Sequence, residues 1–164
     1  MTRADLDNPA DFFANVAAAV LAADSPAFPF TVYKHRRFAA MDNNRVEILA
    51  TGFDRASDHM DFANIAGNST PFYNHGQGQI AFSVVSSRAD QQTTDNHAYC
   101  VGRIATLCRR DRQAFVPYCQ GIVILDLEDL GTAITEDEDT DRDRTTRSFR
   151  VEYMVPAAVY AAAT

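Results

Sequence analysis

Phe149, Val151, Tyr153 and Val155 alternate with Arg150, Glu152 and Met154 near the end of the chain. Strict alternation predicts a strand with one buried face, the apolar set turned towards the core. Four further stretches predict strands: Phe30 to Phe38 (FTVYKHRRF), Arg45 to Phe53 (RVEILATGF), Gln79 to Arg88 (QIAFSVVSSR) and the strongly apolar GIVILDLEDL. Between the first two lies MDNN, whose paired asparagines tolerate positive φ, so those strands are expected to form a hairpin.

Two segments carry the 3.6-residue period instead. After Asp7, Asn8 and Pro9, the positions Phe12, Phe13, Val16, Val20 and Leu21 recur at helical spacing. Asn8 or Asp7 can cap that helix, Pro9 suits its first turn and Asp11 its positive dipole end. Ser25-Pro26 closes it. The second helix is DNHAYCVGRIATLCRR, capped by Thr94, Asp95 or Asn96. Its expected stripe is Ala98, Val101, Ile104, Ala105 and Cys108, with Arg103, Arg109, Arg110 and Arg112 facing out. Gly102 within it costs roughly 1 kcal/mol against alanine, which suggests a close crossing over the sheet.

The order helix, strand, strand, long loop, strand, helix, strand, strand predicts an α+β fold. It would be a two-layer sandwich with a mostly antiparallel sheet of about five strands packed by two helices. A single domain over residues 1–164 is expected, with no internal repeat. Residues 54–79 hold Gly67, Pro71, Gly76 and Gly78 with scattered aromatic residues. A loop of that length is usually functional or an arm that packs on something else, and Phe62, Phe72 and Tyr73 are its assembly candidates. Residues 131–147 read as a long charged hairpin loop.

Composition narrows the chemistry. The 164 residues are 46% apolar and 23% charged, a globular balance. Net charge is −7 and Lys34 is the only lysine, so the surface as a whole is no grip for a phosphate backbone. The odd set Cys100, Cys108 and Cys119 lacks a CxxC pair, which argues for reduced thiols packed as small core residues. No basic-then-apolar leader opens the sequence, and its most apolar run is too short to cross a bilayer.

Catalytic and metal motifs fail in detail. Asp137, Asp139, Asp141 and Asp143 alternate as calcium-loop ligands do. Counting from Asp137, however, the turn glycine is Arg142 and the twelfth-position glutamate is Ser148; from Asp139 they are Arg144 and Arg150. His97 and Cys100 have no third ligand at zinc spacing. Ser83, Ser86 and Ser87 sit outside any G-x-S-x-G turn, and GNSTPFYNHGQGQ lacks the phosphate-loop lysine. No catalytic residue, metal or cofactor is expected. A ligand pocket, if there were one, would draw on His59, His75 and the central loop.

The chain resembles the tail terminator and tail-completion proteins of long-tailed bacteriophages. The likeness lies in the helix begun near DNPADFF, the hairpin, the strand ending in a polar turn, the helix DNHAYCVGRIATLC, and a charged-loop hairpin ending in RSFRVEYMV. It implies a virion structural protein, assembled in the host cytoplasm, in a ring of about six copies. The ring would end the tail tube, meet the head connector or neck protein, and let DNA pass without specific binding. Another neck or connector subunit is the nearest alternative, a small hydrolase or ligand-binding domain the more distant one. In a ring, Glu136, Asp137, Glu138 and Asp139 would line the lumen, and Arg142, Arg144 and Arg147 would reach acids of the neighbouring copy.

Overall fold

The computed structural model describes Leu6 and residues 8–34, 42–53, 73–109, 112–137 and 141–162. Helix α1 (Pro9–Ala22) begins where the sequence places it. Asn8 caps it, Oδ1 accepting from the Asp11 amide at 3.4 Å, with Pro9 in the first turn. Strands β1 (Thr31–Lys34) and β2 (Arg45–Thr51) follow, then β3 (Tyr73–Ser87), helix α2 (Gln91–Arg109) and two 3₁₀ turns, Arg112–Ala114 and Val116–Tyr118. Strands β4 (Val123–Asp137) and β5 (Arg142–Pro156) and the short helix α3 (Ala157–Ala162) complete the chain.

The five strands form one mixed sheet in the order β1-β2-β3-β5-β4. Three of its pairings are antiparallel, but β1 runs parallel to β2, with Thr31 beside Arg45 and Lys34 beside Ile48. The expected β1–β2 hairpin is therefore absent. The asparagines read as its turn serve as acceptors instead: Asn44 Oδ1 takes the Ser87 amide (2.9 Å) and Asn43 Oδ1 takes an Arg142 guanidinium N–H (2.7 Å). They tie the start of β2 to the end of β3 and the start of β5.

Both long helices cover the same face of the sheet, α1 over β1 and β2 and α2 over β3, β4 and β5. This is the two-layer α+β architecture. Alternation on β5 holds as read: Phe149, Val151, Tyr153 and Val155 are buried and Arg150 is exposed. Phe82 meets Phe149 edge-on at 6.0 Å, and Phe13 packs on Phe53 and Tyr153 at 5.0 and 4.9 Å. Cys100, Cys108 and Cys119 are buried free thiols within this core.

Helix α2 departs from its sequence reading. It starts earlier, capped by Asp90, whose Oδ1 accepts the Thr93 amide at 2.7 Å. Its buried positions are Thr93, Cys100, Ile104, Leu107 and Cys108, while Ala98 is exposed. Gly102 faces open space, so no close crossing occurs there. The strand glycines that do admit close neighbours are Gly76 and Gly78. Read as loop residues, they lie inside β3, where an added Cβ would fall 2.5 Å from the Tyr153 ring and 2.3 Å from that of Phe53. An aromatic ring laid over a strand glycine restores the packing that a missing side chain forfeits.

The charged tract is also more regular than expected. Within 131–147, only residues 138–141 lie outside the ladder of β4 with β5. β5 pairs with β3 along its whole length, from Tyr73 with Pro156 to Ser87 with Arg142. The basic half of the tract thus occupies a central strand.

Candidate assembly surface

Strand alternation divides the charged residues of β5 between two faces. Arg144 lies on the face without helices and reaches across β3 to β2, donating to Glu47 Oε2 at 3.0 Å. Arg45 donates to the other oxygen of that carboxylate at 2.6 Å. Burial is the largest influence on Glu47 and opposes its charge, but the Arg45 hydrogen bond and the two guanidinium charges prevail, holding it below the usual carboxylate range. Arg147 points to the helix face and donates twice to Asp129 Oδ2, at 2.6 and 3.1 Å. Arg109, from the last turn of α2, joins the same oxygen, and the Gly131 amide donates to Oδ1 at 2.8 Å. Asp129 is likewise held low: burial raises it, and the hydrogen bonds from Arg147 and Gly131 outweigh that. The cluster anchors α2 to β4 at the bulge between Asp129 and Gly131.

The far end of the hairpin is tied down too. Arg88 donates through its amide to the Asp141 carbonyl (3.2 Å) and through Nε to Asp143 (2.8 Å). Arg142, Arg144 and Arg147 therefore all have partners within their own chain. Of the acids in the tract, Glu136 stands opposite Asp143 and Asp137 opposite Arg142, while Glu138 and Asp139 lie outside the described residues. Of the arm candidates, Phe62 and Phe72 also lie outside them, and Tyr73 is the first residue of β3, paired with Pro156.

One arrangement resembles a nucleophile with its base. Ser86 Oγ lies 2.8 Å from His97 Nδ1, and His97 Nε2 lies 2.9 Å from Thr145 Oγ1. Ser86 is only 1% exposed, so a substrate carbonyl has no approach to it, and the second imidazole nitrogen meets a hydroxyl where a triad needs a carboxylate. The trio clasps α2 onto β3 and β5. Of the proposed pocket histidines, His75 meets Glu152 at 2.6 Å on the outer sheet face, and His59 lies outside the described residues. Among the described residues no group of three His, Cys, Asp or Glu side chains is placed to hold a metal, and no helix is long and apolar enough to cross a membrane.

The surface that sequence reasoning missed is β4. Read only as a strongly apolar strand, it forms an edge of the sheet with Val123, Leu125, Leu130 and Ile134 exposed. Only its acids hinted at this, since Asp126, Glu128 and Asp129 interrupt the apolar run.

No protein-family model matches the sequence, and no curated protein matches it. Among solved structures, the fold is similar to a chain of the virion of a native gene transfer agent particle. The TM-score is 0.53 at 17% identity, over 87% of this chain and 94% of that one. At that identity the likeness is one of fold.

Proposed function

We propose that the protein is a virion structural subunit that assembles into a ring on the end of a phage-type tail tube and joins it to the head connector. The observation that carries the reading is the shared fold with a chain of a gene transfer agent virion, spanning nearly the whole of both chains. The described side chains accord with it. Ionic groups fasten strands and helices together, and the long edge strand is left exposed. In the ring, the acids from Glu136 to Asp139 face the lumen, where their charge keeps phosphate from adhering. The tail tube and the connector are the partners on either side.

Native mass measurement and negative-stain microscopy of the purified protein test this. Uniform annuli, close to six copies, are the expected result; a monomer at concentrations of roughly 100 µM, well above typical assembly affinities, would overturn it. Annuli that bind tail-tube subunits mark a terminator, and annuli that bind only connector subunits mark a neck protein.

A further inference from the structure

Strand β4 is an edge of the sheet, yet its last seven residues lack shortness, bulges, lysine and proline, and charge, another feature that protects an edge, is confined to Glu136 and Asp137 at the end. The opposite edge, β1, is four residues long and ends on Lys34. β4 is fifteen residues long, with irregularities between Ile124 and Asp126 and between Asp129 and Gly131. Beyond the second, the register with β5 is unbroken from Gly131 to Asp137. Thr132, Ala133, Ile134 and Thr135 are all exposed, Ile134 to 72%. Among the described residues, no strand pairs with the outer side of this segment. It is regular, rich in β-branched residues and able to accept another strand.

We propose that Gly131–Asp137 of one copy receives the β1 edge of a second copy, so that the sheet continues from subunit to subunit. Charge selects the partner. β4 holds Asp126, Glu128, Asp129, Glu136 and Asp137 and no basic residue, so two β4 strands paired in parallel would oppose like charges, and paired antiparallel they would gain no opposite charge. β1 reads Thr31-Val32-Tyr33-Lys34, with no acid of its own and ending on the only lysine of the chain; among the described residues the one carboxylate against it, Asp42, accepts from the Thr31 and Tyr33 hydroxyls. Main-chain hydrogen bonds supply the adhesion, and Lys34 near Glu136 and Asp137 favours this pairing over its alternatives. Joining one edge to the other is a head-to-tail contact, which closes into a ring or extends as a filament. Closure into a ring rests on the proposed function; the strand contact itself does not.

The test compares native mass and micrographs of the full chain with those of Ile134→Lys, Ile134→Val and Lys34→Glu. Both altered side chains are exposed, so unchanged thermal melting is expected. The parent and Ile134→Val assemble; Ile134→Lys and Lys34→Glu are folded monomers. Parent filaments lost in both charge variants would uphold the contact and sink the ring. Rings that persist in Ile134→Lys overturn the contact and leave the ring reading standing, and a monomeric parent overturns both. Loss of assembly in Ile134→Lys but not in Lys34→Glu shows that β1 is not the occupant. Should either variant unfold, amide exchange in the parent assembly decides: unprotected amides on the outer side of Gly131–Asp137 overturn the proposal.

Discussion

Val85 alternates with the core residue Val84 and so turns away from both helices, yet it is only 3% exposed. Its cross-strand neighbours are Arg45 and Arg144. Their aliphatic stems cover it while their guanidinium groups meet on Glu47, so charged residues provide its apolar lid. This sets a pH dependence. Glu47, Asp129 and Asp24 all have folded values below their ordinary 4.5, 3.8 and 3.8. For Asp24 the leading cause is its hydrogen bond with Arg103. A lowered carboxylate contributes stability that is complete above the unfolded value and lost as pH falls through the folded one. His97 adds an earlier window: burial, opposed by Asp143, lowers it from 6.5, so below that pH the unfolded chain takes up the proton first and stability begins to fall. Urea midpoints measured from pH 7 to pH 3 should therefore fall in two stages. Glu47→Gln should flatten the acid stage, and His97→Gln the first; an unchanged slope in both would refute the assignment. The thiols offer a second check. Burial pushes Cys100 up to about 12, Cys119 to about 11 and Cys108 higher still. A thiol-specific reagent at pH 8 should label none of the three in the folded chain and all three in denaturant.

At the scale of elements, β5 makes the sharpest stability prediction. Val151 is fully buried at the centre of the sheet. An aspartate there leaves an unpaired charge in the core, so Val151→Asp should cost about 3–5 kcal/mol, measured by urea unfolding, and a variant melting like the parent would contradict the placement. Gly76→Ala and Gly78→Ala should each cost about 1–3 kcal/mol through overpacking against Tyr153 and Phe53. What the sequence made legible follows from local rules. The β5 alternation and the Asn8-Pro9 helix start depend on residues close in the chain, and both appear as read. The misreadings each depend on a neighbour far along the chain. Gly76 and Gly78 look like loop residues until Tyr153 and Phe53 are set over them. MDNN looks like a hairpin turn until Ser87 and Arg142 arrive to use its asparagines. The apolar content of β4 cannot say whether a strand lies on one side of it or two. Glu47 and Asp129 stood out least, because a carboxylate in a strand reads as surface until its arginine partners are in place.

For the whole molecule, what matters is where net charge of −7 is left unneutralised. Over the sheet, acids are matched or outnumbered by arginines, as in Arg45 and Arg144 with Glu47, Arg147 and Arg109 with Asp129, and Arg150 with Glu128. The sequence from Glu136 to Asp139 has no such balance within it, and Glu136 even stands opposite Asp143. In a ring of six the formal charge totals six times −7, or −42. Replacing Glu136, Asp137, Glu138 and Asp139 by Gln and Asn takes each copy from −7 to −7 + 4 = −3 and would remove the barrier from the lumen if these residues line it. The substitutions leave every arginine pair named above untouched, so the fold should survive; they remove the charges proposed to meet Lys34 but not the main-chain contact along Gly131–Asp137, so the ring should still form, less tightly than in the parent. The altered ring should then retain duplex DNA at low salt and release it as salt rises, because phosphate contacts exchange with counterions, while the parent ring retains none at either salt. Filter binding of a short duplex across a salt series reads this directly. Charge reversal at Arg144 or Arg147 is the wrong experiment, since each would break an ion pair inside its own chain before it tested any contact between copies. Should the neutralised ring release DNA as freely as the parent, the tract does not line the passage, and its acids serve only the solubility of a hairpin end.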